Sequence, residues 1–147
     1  MNEEIKNMVN TMSSLSDSER VDLAQHSLEK LFDGLTKNGM TEKSEKISFM
    51  FTLIKLFISA DRDCGVEEYS FFLAVTELTE QDCSYDQFYL LTDGGINPQF
   101  KEDTFNLLKS MDEDTRSAAI IFGLSFLNCD DKIDLQEIKL LKEVLSL

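Results

Sequence analysis

Phe51-Thr52-Leu53-Ile54-Lys55-Leu56-Phe57-Ile58-Ser59-Ala60-Asp61-Arg62-Asp63-Cys64-Gly65-Val66-Glu67-Glu68 and Ile120-Ile121-Phe122-Gly123-Leu124-Ser125-Phe126-Leu127-Asn128-Cys129-Asp130-Asp131-Lys132-Ile133-Asp134-Leu135-Gln136-Glu137 are the two stretches on which the fold turns. Each is a dense apolar run that ends in a short acidic loop, with a glutamate seven positions after the loop's first aspartate. Asp61 and Glu68 correspond to Asp130 and Glu137. The runs are too long for buried strands, and polar breaks at Thr52, Lys55 and Ser59 interrupt the first, so both read as helices packed on nearly every side. A repeated helix–loop–helix predicts two related halves with the two apolar helices side by side. Phe57, Phe122 and Phe126 are then core residues, because burying one large apolar side chain stabilises a fold by about 1.5–3 kcal/mol.

Helical signals continue outward from these runs. Residues 1–15 are polar with scattered Ile5, Met8, Val9 and Met12, a leading helix or arm. Ser16-Asp17-Ser18-Glu19 has the small oxygen-bearing side chains of a helix start. Val21, Ala24, Leu28, Leu31, Phe32 and Leu35 then recur at helical spacing, until Asn38-Gly39 stops the helix. Thr41-Glu42 opens the first central helix, and Tyr69, Phe72, Leu73 and Thr76 mark one face of the helix after it. Ser84 caps a short helix carrying Tyr85, Phe88 and Tyr89, and Gly94-Gly95 breaks the chain near its middle. Asn97-Pro98 puts asparagine at a cap and proline at the first helical position, where its missing N–H costs nothing. Asp112 or Asp114 caps the second central helix. Asp134-Leu135-Gln136-Glu137 has capping-box spacing ahead of Ile138, Leu141, Val144 and Leu145. The expected architecture is all-α: one domain over residues 1–147, seven or eight helices in two pseudo-symmetric halves.

Composition agrees with this reading. The chain has 147 residues, 42% of them apolar, with 11 Phe, one Pro and six Gly, enough for a core and few helix breakers. Its net charge of −14 argues against nucleic acid and anionic membranes as partners and leaves basic proteins or cations. No apolar run is long enough to span a bilayer. Met1-Asn2-Glu3-Glu4 lacks the apolar stretch of a secretory signal. Cys64, Cys83 and Cys129 fit no zinc or redox spacing, so a reducing cytoplasm is expected.

At the two acidic loops the chain resembles the TerB-like family, the tellurite-resistance TerB domains and their relatives. The features that carry the resemblance are Ala60-Asp61, Val66 and Glu68 in the first copy, and Cys129-Asp130, Asp131, Lys132, Ile133, Asp134 and Glu137 in the second. Asp131 stands where the family has Gly; the first copy has Arg62 there, with its glycine displaced to Gly65. The resemblance covers most of the region from Ile47 to Leu147. It implies a helical bundle with two similar halves and a non-enzymatic role in stress or metal-linked responses, often within larger assemblies. It also implies divalent-cation binding through the acidic residues.

A cation site for Ca²⁺, Mg²⁺ or Zn²⁺ would draw on Asp61, Asp63, Glu68, Asp130, Asp131, Asp134 and Glu137. The EF-hand pattern fails, because counting from Asp61 places Phe72 at position twelve, where a glutamate is needed. Capping is the plainer account of Asp134 and Glu137, since acidic groups in a first turn favour the positive end of the helix dipole. His26 has no companions at ligand spacing. There is no phosphate-binding glycine loop, no Gly-x-Ser-x-Gly and no His-Glu-x-x-His, so no enzyme is expected. Three functions remain in order: a TerB-like binding domain with cation affinity, an acidic module that docks a basic protein, and a small hydrolase using a carboxylate-bound metal.

Overall fold

A computed structural model of the chain describes residues 3–61, 65–92, 97–127 and 135–147. All regular structure among the described residues is helical: α1 (Glu3–Ser13), α2 (Asp17–Lys37), α3 (Lys43–Asp61), α4 (Val66–Thr76), α5 (Tyr85–Thr92), α6 (Pro98–Lys109), α7 (Glu113–Leu127) and α8 (Leu135–Leu145). The architecture is therefore the all-helical bundle expected from the sequence. None of these helices is long and apolar enough to cross a membrane.

Local chemistry sets the boundaries. Ser16 and Glu19 form a reciprocal capping box at the start of α2, with Glu19 N–H donating to Ser16 Oγ at 3.2 Å and Ser16 N–H to Glu19 Oε1 at 3.0 Å. The helix ends at Asn38, and Gly39 follows at φ +95°, a left-handed conformation that glycine adopts without strain. Ser84 and Gln87 build a second box before α5. Asn97 caps α6 by accepting the Phe100 N–H at 2.8 Å. Of the two candidates for α7, Asp112 is the cap: its carboxylate accepts the Thr115 N–H at 3.3 Å and the Thr115 hydroxyl at 2.6 Å. The C-terminus of α6 is closed from outside the helix by Arg116. Its guanidinium donates to the carbonyls of Leu108 and Met111 at 3.1 and 2.9 Å and to the Leu147 oxygen at 3.3 Å.

The two apolar helices, α3 and α7, do pack together, through a close approach that only glycine permits. A Cβ on Gly123 would fall 2.1 Å from Cε2 of Phe57, a ring with no exposure at all. The longest helix contact of α7 is nevertheless with α2, not α3. It also runs over a glycine, since a Cβ on Gly34 would lie 2.1 Å from Thr115 Oγ1. Ser27, likewise buried on α2, is a second small residue on that helix. Small residues let two helix backbones draw close.

Contacts between the helices are unequal in extent. α2 covers α7 along its length, whereas α6 touches α3 only lightly and α5 takes much of that place. α3 serves two apolar clusters: Leu53 and Ile54 join Phe72, Phe88, Phe122 and Phe126, while Leu56 and Phe57 join Leu124, Leu127, Leu141 and Val144. Met12 of α1 closes the second cluster, so the leading segment is a helix with a packed end. Aromatic edges bind the first cluster, with ring centroids 4.9 Å apart for Phe72–Phe88 and 5.0 Å, edge to face, for Phe71–Phe126. Buried hydroxyls inside helices fold back on their own carbonyls, as Ser125 does on Ile121 at 2.9 Å.

Candidate functional site

The acidic corners are the first place to look. Gly65 precedes α4, and its N–H donates to Glu68 Oε2 at 2.9 Å. Glu68 is only 4% exposed. Its carboxylate is thus turned back onto the helix start as half of a capping box. Asp61 is the last residue of α3 and Glu137 lies in the first turn of α8; their side chains, and the whole of Asp63, Asp130, Asp131 and Asp134, lie outside the described residues. So do Cys64 and Cys129. Among the described residues no three His, Cys, Asp or Glu side chains gather as a metal ion needs. Of the proposed ligands, Glu68 is the one whose side chain falls within the described residues, and it caps α4.

Asp112, Tyr69 and Cys83 are likewise engaged in structure. Hydrogen bonds from the Thr115 hydroxyl and then the Asn38 amide hold the Asp112 carboxyl down at about 2, from an ordinary 3.8. Asn38 Nδ2 donates to Asp112 Oδ1 at 3.0 Å and to the Gly34 carbonyl at 2.7 Å, so this corner ties the end of α2 to the start of α7. Burial pushes the Cys83 thiol up, the direction opposite to a reactive thiolate. Burial also raises Tyr69, with smaller contributions from Glu80 and Cys83, and its hydroxyl donates to the Cys83 carbonyl at 2.7 Å. His26 is exposed. The mid-chain aromatics divide: Phe88 is buried, Tyr85 and Phe100 are half-buried, and Tyr89 is exposed. Lys55 Nζ lies 5.1 Å from the centre of the Phe100 ring, a cation–π contact.

Several surface clefts of about 340–520 Å³ lie among the described residues, two of them bordered by α2 and α4. One, of about 520 Å³, lies beside the first acidic corner, where Val21 and Phe71 meet Val66 and Glu67. The other, of about 340 Å³, lies between α2, α3 and the end of α4. Its floor is apolar: Leu28 and Phe32 from α2, Ile47 and Met50 from α3, and Val75 from α4. Met50 and Val75 are buried and the other three half-buried. Exposed Glu29, Lys43 and Glu77 stand at the rim. The polar side chains in the lining are already engaged, Gln25 donating to the Ala74 carbonyl at 3.1 Å and Thr76 to the Phe72 carbonyl at 2.7 Å.

Glu77 gives this cleft a further property. It ends α4 at φ +60°, the left-handed conformation usually filled by glycine or asparagine. A side chain there costs about 1–2 kcal/mol. Sequence reading placed Leu28, Phe32 and Ile47 on buried helix faces and missed the cleft they share, because it is assembled from three helices. No family model matches the chain, and no curated protein or solved structure matches it either.

Proposed function

We propose that this chain is a non-catalytic, TerB-like binding domain whose work is to hold a protein partner in a stress-linked, cytoplasmic response of the tellurite-resistance kind. The observation that carries the binding role is the cleft between α2, α3 and α4, with an apolar floor and charges confined to its edge. Protein recognition surfaces combine a desolvated apolar centre with a polar rim in just this way. The TerB-like part rests on the repeated acidic corners and on the sequence resemblance they carry. Glu68 speaks for a structural use of the first corner, since its carboxylate already satisfies the Gly65 N–H.

The second reading keeps divalent-cation binding at the corners, favoured by the equal spacing of Asp61 to Glu68 and Asp130 to Glu137. Calorimetric titration with Ca²⁺, Mg²⁺ and Zn²⁺, paired with thermal melting, separates the two. Protein binding as the primary role predicts no saturable heat and no metal-dependent rise in melting temperature. Stoichiometric heat with a matching thermal shift would put the cation first. Phosphoester hydrolysis lost on Asp130→Asn would revive the hydrolase in place of both.

A further inference from the structure

We infer that the cleft between α2, α3 and α4 takes one face of a basic amphipathic helix from a partner protein. The inference rests on the cleft being the protein-binding site. Its first support is the shape of the chemistry. Small ligands are fixed by a few convergent polar groups within an apolar pocket. Here Gln25 and Thr76 are committed to main-chain carbonyls, and half-buried Leu28, Phe32 and Ile47 present hydrocarbon above the buried Met50 and Val75. Such a floor accepts apolar side chains spaced three and four apart on a helix, which anchor without needing hydrogen bonds from the groove.

Charge sets the sign of the partner. The chain carries 28 acidic and 14 basic residues. The negative end of the α4 dipole lies at the cleft and is opposed by the positive end of α3 at Lys43. The acidic excess therefore rests on Glu29, Glu77 and the net charge of the chain. Glu29 and Glu77 stand at the rim, against Lys43 at the start of α3. Among the described residues none of these three makes an ion pair, so the rim charges are available to a partner. Lysines or arginines flanking the apolar stripe would meet Glu29, Glu77 and the end of α4, while an acidic helix would be repelled. Glu77 is the most pointed observation. Glycine would end α4 without strain, yet a carboxylate is held there in a conformation that side chains disfavour, at the edge of the cleft.

The probe is a synthetic helix of about 18 residues, with Leu and Phe at helical spacing on one face and Lys on the other. It is followed by fluorescence anisotropy and by methyl NMR of Leu28, Ile47, Met50 and Val75. Two controls accompany it: a peptide with Glu in place of Lys, and a scrambled peptide of the same composition. The expected result is micromolar binding of the Lys-faced helix alone, shifts centred on those four methyl groups, and weakening as salt rises. Glu29→Lys with Glu77→Lys should weaken binding at least about tenfold. Glu77→Gly should weaken it too while keeping or raising the melting temperature, which excludes misfolding as the cause. Equal binding of the Glu-faced helix at the same methyls overturns the basic partner and leaves the docking cleft standing. Equal binding of the scrambled peptide, or indifference to the rim substitutions, reduces the effect to general attraction and overturns the inference. Absence of shifts at the four methyls with every peptide removes the cleft as a protein site and the inference with it.

Discussion

Replacing Gly123 by alanine tests how α3 and α7 meet. In an ordinary helix the change would stabilise by about 1 kcal/mol, because glycine is the poorer helix former. Here the new methyl would sit 2.1 Å from Phe57 Cε2 and 2.2 Å from Cδ2. Carbon atoms rest about 3.5–4.0 Å apart, so the ring must retreat by roughly 1.5 Å. Phe57 is fully buried in a cluster with Leu56, Ile120, Leu124 and Leu141, and has nowhere to go without parting the helices. Overpacking of this kind costs about 1–3 kcal/mol and sometimes more. With the gap so short the upper end applies, and the net expectation is destabilisation by about 2 kcal/mol. For a chain of this size that lowers the melting temperature by about 4–8 °C. Urea unfolding followed by circular dichroism gives the free energy, and Phe57→Ala completes a double-mutant cycle. Phe57→Ala alone should cost about 3–5 kcal/mol. In that background Gly123→Ala should become neutral or stabilise by up to about 1 kcal/mol, its methyl entering the space the ring has left. Destabilisation of equal size in both backgrounds, or stabilisation in the parent, would refute the close approach.

Other substitutions probe the caps and ties. Arg116→Lys should cost about 2–4 kcal/mol, because a single ammonium cannot reach the carbonyls of Leu108, Met111 and Leu147 together; thermal melting at neutral pH reads it. Tyr69→Phe should cost about 1–2 kcal/mol by leaving the Cys83 carbonyl without this donor, and a loss below experimental error would show the bond to be incidental. Glu68→Ala should cost about 1 kcal/mol, while Glu68→Gln, whose amide oxygen still accepts from Gly65, should cost less. The Asp112 carboxyl, depressed to about 2, contributes stability that is present above its ordinary 3.8 and is lost as pH falls toward 2. Asp112→Asn should therefore flatten the fall in urea midpoint across that window and lower the neutral value by the part that depends on the carboxylate's charge, since asparagine keeps only the neutral cap. An unchanged acid slope would assign the loss to other carboxylates, such as Asp82 and Glu19, whose pKa values are shifted the same way.

Much of the fold was legible because its signals are local. Asn38-Gly39, Asn97-Pro98, Ser16 with Glu19, and the two greasy runs each act within a few residues, and each appears where the pattern put it. The apolar stripe of α2 was legible, but its close approach to α7 was not, because Gly34 carries no hydrophobic signal until Thr115 lies against it. The carboxylate of Glu68 could be read from sequence as ligand or as cap, and the Gly65 N–H at 2.9 Å favours the cap. The cleft was hidden for another reason. Leu28 and Phe32 lie on the apolar stripe of one helix and Ile47 opens the apolar run of another, and periodicity says nothing of where such faces fail to close over one another.

The most direct measurement is a pair of methyl NMR titrations on the same labelled protein, one with Ca²⁺ and one with the Lys-faced helix. Shifts of Ile47, Met50 and Val75 with the peptide, and a spectrum indifferent to Ca²⁺, are expected. A spectrum that moves saturably with Ca²⁺ and ignores the peptide would contradict protein docking at this cleft and return the acidic corners to first place.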